Sequence, residues 1–251
     1  MKYKYMPSLG AIIACFVAWQ IATNFIPNFL LPTPYVTIRK TVQLFFSTEF
    51  VYHAHDTLIK VIVSFTIAYM GSNLLAFLSR SSSALERFIK PFIFIGMQTP
   101  GLIAVYIAVV VMGTRGPVSI VITSLLLCVD LYNVLYPSYK NLKPEYAELS
   151  TVYRLSKSKY IIHVILPQFM PHQFSAIRLG VSLGWKLTLL TEIFTINNGV
   201  GYQIQRHFNL FSIVGVLSWF ISFALVMLII EYGIIRPLEK RLVYYPHANA
   251  I

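Results

Sequence analysis

Six long apolar runs divide the 251-residue chain, and short stretches between them collect most of its charge. The runs cover 9–26, 57–78, 88–113, 118–136, 174–194 and 210–235. Each is near or above the ~18–20 residues with which a helix crosses hydrocarbon. Backbone amides in lipid must be satisfied within their own segment, so runs of this length predict helices. The connectors give the direction of threading. Arg80, Arg87 and Lys90 follow the second run against Glu86 alone, a basic excess from Lys140 to Lys159 follows the fourth, and Arg236, Lys240 and Arg241 follow the sixth. Basic residues mark the cytoplasmic side, so both termini and the connectors after runs two and four are expected there. Residues 27–56 then lie outside, with an amphipathic helix over 36–46 at the outer interface. The pattern predicts an all-α integral membrane protein with six transmembrane helices and cytoplasmic N and C termini.

Composition sharpens this picture. Hydrophobic residues make up 57% of the chain and charged residues 12%, against roughly 25% charged in a soluble domain; mean hydropathy is +0.67. The net charge of +11 would suit nucleic acid, but the cations sit in short loops with no basic recognition helix or zinc spacing, so no nucleic-acid partner is expected. Cys15 and Cys128 lie in apolar runs, which argues against a disulfide framework. His53 and His55 are two residues apart, with His207 the one distant companion, too few for a metal centre. No phosphate-binding glycine loop occurs, so any ATP must be bound by another chain. A single membrane domain over 1–251 is expected, without a repeat or a low-complexity segment.

Polar residues inside the apolar runs are candidates for function. Gln98, Thr99 and Pro100, before Gly101, interrupt the third run and either line a path or form a simple kink. Asp130 lies in the fourth run, and an intramembrane acid needs a reason; pairing with Lys140 or Lys143 competes with proton relay. The fifth run carries Gly180 and Gly184, four apart as in close helix packing. It also carries Trp185, Lys186 near mid-bilayer, and Glu192 towards the outer end. Lys186 faces an anion pathway, or it pairs with Asp130 or an acid of another chain.

The segment from 145 to 171 is polar and basic between apolar neighbours. Pro144 can open a helix, Glu145 and Glu148 favour its N-terminal end, and Pro167 and Pro171 are expected to end a second short apolar helix over 160–166. Glu148-Leu149-Ser150, then Arg154 and Leu155, then Val164-Ile165-Leu166-Pro167 resemble the cytoplasmic coupling loop of permease subunits of ATP-binding-cassette importers. Arg154 occupies the position that is Gly in that family, and Arg takes a left-handed conformation only at a cost; the turn is expected to move, or the helix to run on. Leu31-Pro32-Thr33-Pro34, the run from Arg178 through Trp185 to Glu192, and Gly199-Val200-Gly201-Tyr202 resemble the nitrate, sulfonate and taurine group of the same family. Lys186 departs from that group, where an apolar residue is more usual.

The resemblance implies a permease of the bacterial cytoplasmic (inner) membrane, with two short cytoplasmic coupling helices over 144–167. It implies no catalysis and no cofactor on this chain, with ATP and Mg on the partner. Implied partners are two ATP-binding subunits, a second permease copy as homodimer, a periplasmic or lipid-anchored solute-binding protein, and the lipid bilayer. Glu145, Glu148, Ser150, Arg154, Leu155, Leu166 and Pro167 would couple to the ATPase. Gln98, Thr99, Pro100, Gly184, Trp185, Lys186 and Glu192 would border the pathway of a small anion or a small heterocyclic nutrient. An ion-gradient-driven transporter using Asp130, Lys186 and Glu192, and a non-transporting membrane scaffold, remain the alternatives.

Overall fold

The computed structural model describes residues 6–114, 117–141, 152–195 and 198–242. Among them there is no strand. The helices in chain order are α1 (Met6–Ala22), α2 (Pro34–Phe45), α3 (Thr48–Ser81), α4 (Ser83–Gln98), α5 (Gly101–Met112), α6 (Val118–Lys140), α7 (Lys157–Tyr160), α8 (Leu166–Phe194), α9 (Val200–Asn209), α10 (Ile213–Ile230) and α11 (Arg236–Leu242). π-helical turns over Ile161–Ile165 and Glu231–Ile235 join α7 to α8 and α10 to α11.

Local chemistry sets many of these ends. Thr33 caps α2, which begins with Pro34; Ser47 caps α3 by accepting Phe50 N–H at 3.1 Å; Ser82 separates α3 from α4 and caps the latter. A hydroxyl at such a position satisfies an amide that the helix itself leaves unpaired. Both π turns end two residues before a proline, Pro167 and Pro237. Proline supplies no N–H and crowds the carbonyl four residues back; a widened turn upstream relieves that conflict.

Three helices, α3, α6 and α8, form the centre. The side of α3 turned inward is Val61, Ser64, Ala68, Ser72, Ala76 and Ser79, small residues at helical spacing that let neighbours approach closely. Leu127, Leu131 and Leu135 of α6 fill the space with Ala176 of α8. Gly180 and Gly184 lie in this contact: a Cβ on Gly180 would stand 2.4 Å from the Phe65 ring, and one on Gly184 3.4 Å from Leu127. A second core, beside the start of α3, joins Leu44, Phe50, Leu189, Val200, Trp219 and Phe223. α1 rests against α2, and Trp19 Nε1–H donates to Pro32 O at 3.0 Å.

Several expectations change here. The run over 88–113 is not one helix: α4 and α5 meet at a bend of 102° at Thr99–Pro100, whereas Pro91 sits inside α4 without breaking it. Pro167 and Pro171 do not end a short helix; they lie in α8, which continues to Phe194. The helix expected over 36–46 is α2, but it buries Pro34, Thr37, Thr41 and Leu44 against α10 and turns Val36, Ile38 and Val42 outward. Among the described residues, three helices are long and apolar enough to cross a membrane: Thr48–Ser81, Val118–Lys140 and Ile213–Glu239; the bent α4–α5 pair makes a fourth if it is one span. α8 has the length but carries Arg178, Lys186 and Glu192.

The expected ion pairs also differ. Lys140 binds Glu86 at 3.2 Å, not Asp130, and Lys90 joins the same carboxylate at 2.6 Å. Glu86 also accepts the Tyr136 hydroxyl, which fastens α4 to α6. Asp130 makes no ion pair among the described residues, and neither does Lys186; Lys143 lies outside those residues. Glu231 binds Arg236 at 3.6 Å as its position suggests, and Arg178 binds Glu239, tying α8 to α11.

Candidate functional site: a fixed outer network and an open helix face

α3 has 34 residues, about 51 Å at 1.5 Å per residue, and outreaches a hydrocarbon core of about 30 Å. Its first turns carry polar groups. His53, Thr57 and Lys60 recur at helical spacing on the side facing α8 and α9, where Thr57 and Lys60 meet Glu192. The Glu192 carboxylate is fully buried. It accepts Thr57 Oγ1–H at 2.9 Å, Lys60 Nζ at 2.9 Å and Gly201 N–H at 2.9 Å. Lys60 also binds Asp56 at 2.7 Å and the Asn198 carbonyl. A buried carboxylate is tolerable only when it is paired and hydrogen-bonded on its remaining lone pairs, and this one is.

The same network seats the start of α9. Thr57 Oγ1 accepts Val200 N–H at 2.8 Å, and His53 Nδ1 accepts Gly199 N–H at 3.1 Å. The neutral His53 ring therefore carries its proton on Nε2, 2.7 Å from the Gln203 amide, which must present its oxygen there. Gly199 has φ +130° and lies against the Glu192 carboxylate, so only a residue without Cβ fits. A Cβ on Gly201 would stand 2.5 Å from the Leu189 carbonyl. Both ring nitrogens of His53 are thus taken, His55 is exposed, and among the described residues no group of three His, Cys, Asp or Glu side chains is placed to hold a metal.

α8 presents three packed sides and one open one. Gly180, Gly184, Thr188 and Thr191 are buried, with Thr191 hydrogen-bonded to Ser119 at 2.6 Å. Leu183, Leu187 and Leu190 pack with α5 and α6, and Val181, Trp185 and Leu189 pack towards α9 and α10. Lys186 points to the remaining side and is exposed. Its Nζ lies 5.8 Å from the Trp185 ring centre. Val181, Ser182, Trp185, Lys186, Phe220 and Glu231 are among the residues bounding a cavity of about 370 Å³ there.

Of the other expected pathway residues, Gln98 and Pro100 are exposed at the α4–α5 bend, and Thr99 donates its hydroxyl to Ile95 O at 2.8 Å. Gly184 faces Leu127, and Trp185 is half-buried against Phe220 and Phe223. Glu192 is enclosed by the network. Sequence reasoning missed Thr57 and Lys60 as its partners, and His53 beside them as the acceptor of Gly199 N–H; the i, i+4, i+7 spacing of 53, 57 and 60 was the available signal.

Of the expected coupling residues, Glu145, Glu148 and Ser150 lie outside the described residues. Residues 152–159 are exposed throughout, including the apolar Val152 and Tyr153. Ser156 caps α7 by accepting Lys159 N–H at 3.4 Å. Arg154 has φ +48°: the turn stays at the expected glycine position and the arginine takes the left-handed conformation. Leu155, Leu166 and Pro167 are also exposed. Beside them, Tyr69, Met70, Asn73, Ile161, Phe169 and Gln173 bound a groove of about 430 Å³. Its floor is a hydrogen-bonded set in which Tyr139 and Gln173 both donate to Asn73 Oδ1, at 2.9 and 3.0 Å.

Two outcomes follow from the outer end. Gly201→Ala places a methyl against backbone and is expected to cost about 1–3 kcal/mol by overpacking, read as a lower midpoint of thermal unfolding of the solubilised protein. His207 packs its ring on Gly215, and burial, then the charge of Arg206, hold its pKa below the ordinary 6.5, with Glu49 opposing. Its folded form resists protonation, so its contribution is complete above pH 6.5 and declines as pH falls below that value. His207→Gln should narrow the fall in unfolding midpoint between pH 7.5 and 5.5; an unchanged fall would rule His207 out as a source.

Residues 68–243 match the family described as binding-protein-dependent transport system inner membrane component. The nitrate import permease protein NrtB of Synechocystis sp. is 23% identical over 222 residues, 83% of this chain and 80% of that protein. The putative aliphatic sulfonates transport permease protein SsuC of Bacillus subtilis is 21% identical over 243 residues, 96% and 88%. The taurine transport system permease protein TauC of Escherichia coli is 26% identical over 87 residues, 35% and 31%. The chain belongs to the binding-protein-dependent transport inner-membrane component family, as a permease subunit of an ATP-binding-cassette importer.

Proposed function

We propose that two copies of this chain form the pathway of an importer for a small anion, with the open side of α8 lining it. The observation that carries this reading is Lys186. An ammonium at mid-helix against acyl chains would cost about 2.5–3.5 kcal/mol, and no acid among the described residues neutralises it. Its side of the helix therefore faces water or a second copy. A pathway between two copies supplies water and gives the charge a use: it lowers the energy of an anion in transit. The relatives named for nitrate, sulfonates and taurine support the same class.

In this reading the six apolar runs are six spans of a multi-pass protein in the bacterial inner membrane, with both termini inside. A solute-binding protein delivers the anion from outside. Two ATP-binding subunits, which hold ATP and Mg, dock from inside on residues 144–167. The exposed Val152, Tyr153, Leu155 and Leu166 offer apolar surface for such a dock, with Glu145, Glu148 and Ser150 completing it. The chain moves solute and performs no covalent chemistry.

In the reconstituted complex, Lys186→Met is expected to lower anion uptake at least tenfold while the ATP-binding subunits still co-purify. Loss of the complex itself would make Lys186 a structural residue and remove the argument. Arg154→Gly is expected to keep substrate-stimulated ATP hydrolysis within about twofold, because it relieves a left-handed strain of about 1–2 kcal/mol. A large loss would show that the guanidinium itself contacts the ATPase.

A further inference from the structure

At the outer end of α8 a second cavity, of about 510 Å³, opens between Ile193, Phe194 and Thr195 on one side and Tyr202, Gln205, Arg206, Asn209 and Leu210 on the other. Its position relates it to the pathway. Ile193 is seven residues beyond Lys186, about 10 Å further out at 1.5 Å per residue and nearly in line with it at 3.6 residues per turn. The cavity therefore stands at the outer mouth of the same open side.

Its lining has two chemistries. One wall offers donors: the Arg206 guanidinium, the Tyr202 hydroxyl and the Gln205 and Asn209 amides. The other is apolar, from Ile193 and Phe194, and Leu210 adds apolar surface at the end of the first. The acid paired with Arg206 is Glu49, at 3.9 Å and with both side chains more than half exposed. That distance is too long for a hydrogen bond, and an exposed pair of this kind is weak. Among the described residues no hydrogen bond uses the guanidinium donors, so its planar fork is available to an oxyanion. The backbone beneath is held: α9 starts on the Glu192 network, through Gly201 N–H and Val200 N–H. The guanidinium is thus presented from a fixed helix.

We propose that this cavity is an outer-mouth subsite for a small organic oxyanion, a sulfonate or carboxylate with a short apolar chain. Arg206 holds the oxyanion head, and Ile193, Phe194 and Leu210 cover the tail. The apolar wall is what distinguishes this from a site for a bare inorganic anion: a compact ion such as nitrate gains nothing from it, whereas each buried methylene of a tail does. As an outer stage of the pathway, the assignment rests on the reading of Lys186 given above. An anionic lipid headgroup shares the ligand's chemistry, and the test separates the two.

The probes are butanesulfonate and nitrate, applied to the purified complex of permease and ATP-binding subunits in nanodiscs. Butanesulfonate binding is followed by saturation-transfer NMR, and nitrate by its competition with that signal. In phosphatidylcholine discs butanesulfonate is expected to bind, nitrate to compete at least tenfold less well, and Arg206→Gln to weaken butanesulfonate at least tenfold, with Arg206→Lys recovering part of the loss. Replacing a third of the lipid by phosphatidylglycerol should leave binding unchanged. Equal affinity for the two anions, or unchanged binding in Arg206→Gln, would overturn the subsite. Loss of binding in phosphatidylglycerol discs would assign the cavity to lipid and overturn it as well. Uptake by Lys186→Met reports on the pathway separately: an intact uptake there removes the pathway while Arg206-dependent binding persists, and an intact Arg206→Gln removes the subsite alone.

Discussion

A carboxylate with no exposed surface, set in a bundle of apolar helices, demands a partner for every lone pair, and Glu192 imposes that demand on the outer half of this protein. Lys60 and Thr57 answer it from α3, and Gly201 answers it from α9. Two segments far apart in sequence, α3 and the junction of α8 with α9, are thereby held at one point. The requirement explains the glycines around it, because the backbone of 199–201 has to approach the acid more closely than a side chain permits. It also explains why His53 is neutral on its Nδ1 side, where it accepts the next amide in line. Removing one member would leave another buried and unsatisfied, so the cost of breaking the set exceeds the worth of any single bond.

Below that point the bundle is held by close approach rather than by charge. Small residues on α3 and glycines on α8 let α3, α6 and α8 touch along their length, which suits a solvent that gives apolar side chains no advantage for leaving it. Charge returns where α4 meets the end of α6: Glu86 gathers Lys90, the Tyr136 hydroxyl and Lys140, and its pKa falls to about 2 through those hydrogen bonds. Between the two charged ends, α8 is covered on every side but the one that carries Lys186.

The helices were legible because membrane segments are written in composition, and composition needs no tertiary context. Apolar length located α3, α6 and α10, and the basic connectors gave a consistent direction. What the chain concealed was pairing. Lys140 is ten residues from Asp130, nearly three turns along the same helix, and it reaches across to Glu86 of α4, where its half-exposed head can stay hydrated. Glu192 shows no partner to a reader of the sequence, because its lysine is 132 residues away. The prolines misled in a different way. Pro167 and Pro171 read as helix terminators, but a widened turn absorbs the first and the early turns of a long helix accept the second. Arg154 is the converse case: the resemblance marked a glycine, and the backbone kept the glycine's conformation after the side chain had changed.

That continuity through Pro167 has a mechanical consequence. From Lys157 to Phe194 the chain is one rod of α7, π turn and α8, about 57 Å long at 1.5 Å per residue. One tip is bare of packing partners; the other ends two residues after Glu192. The single widened turn lies near the bare tip, so everything beyond it behaves as a stiff lever. A rotation of about 5° about its middle would carry each tip by roughly 2.5 Å in opposite directions. Displacement applied at the tip would therefore reach the Glu192 network as tilt, without passing through a joint that could dissipate it.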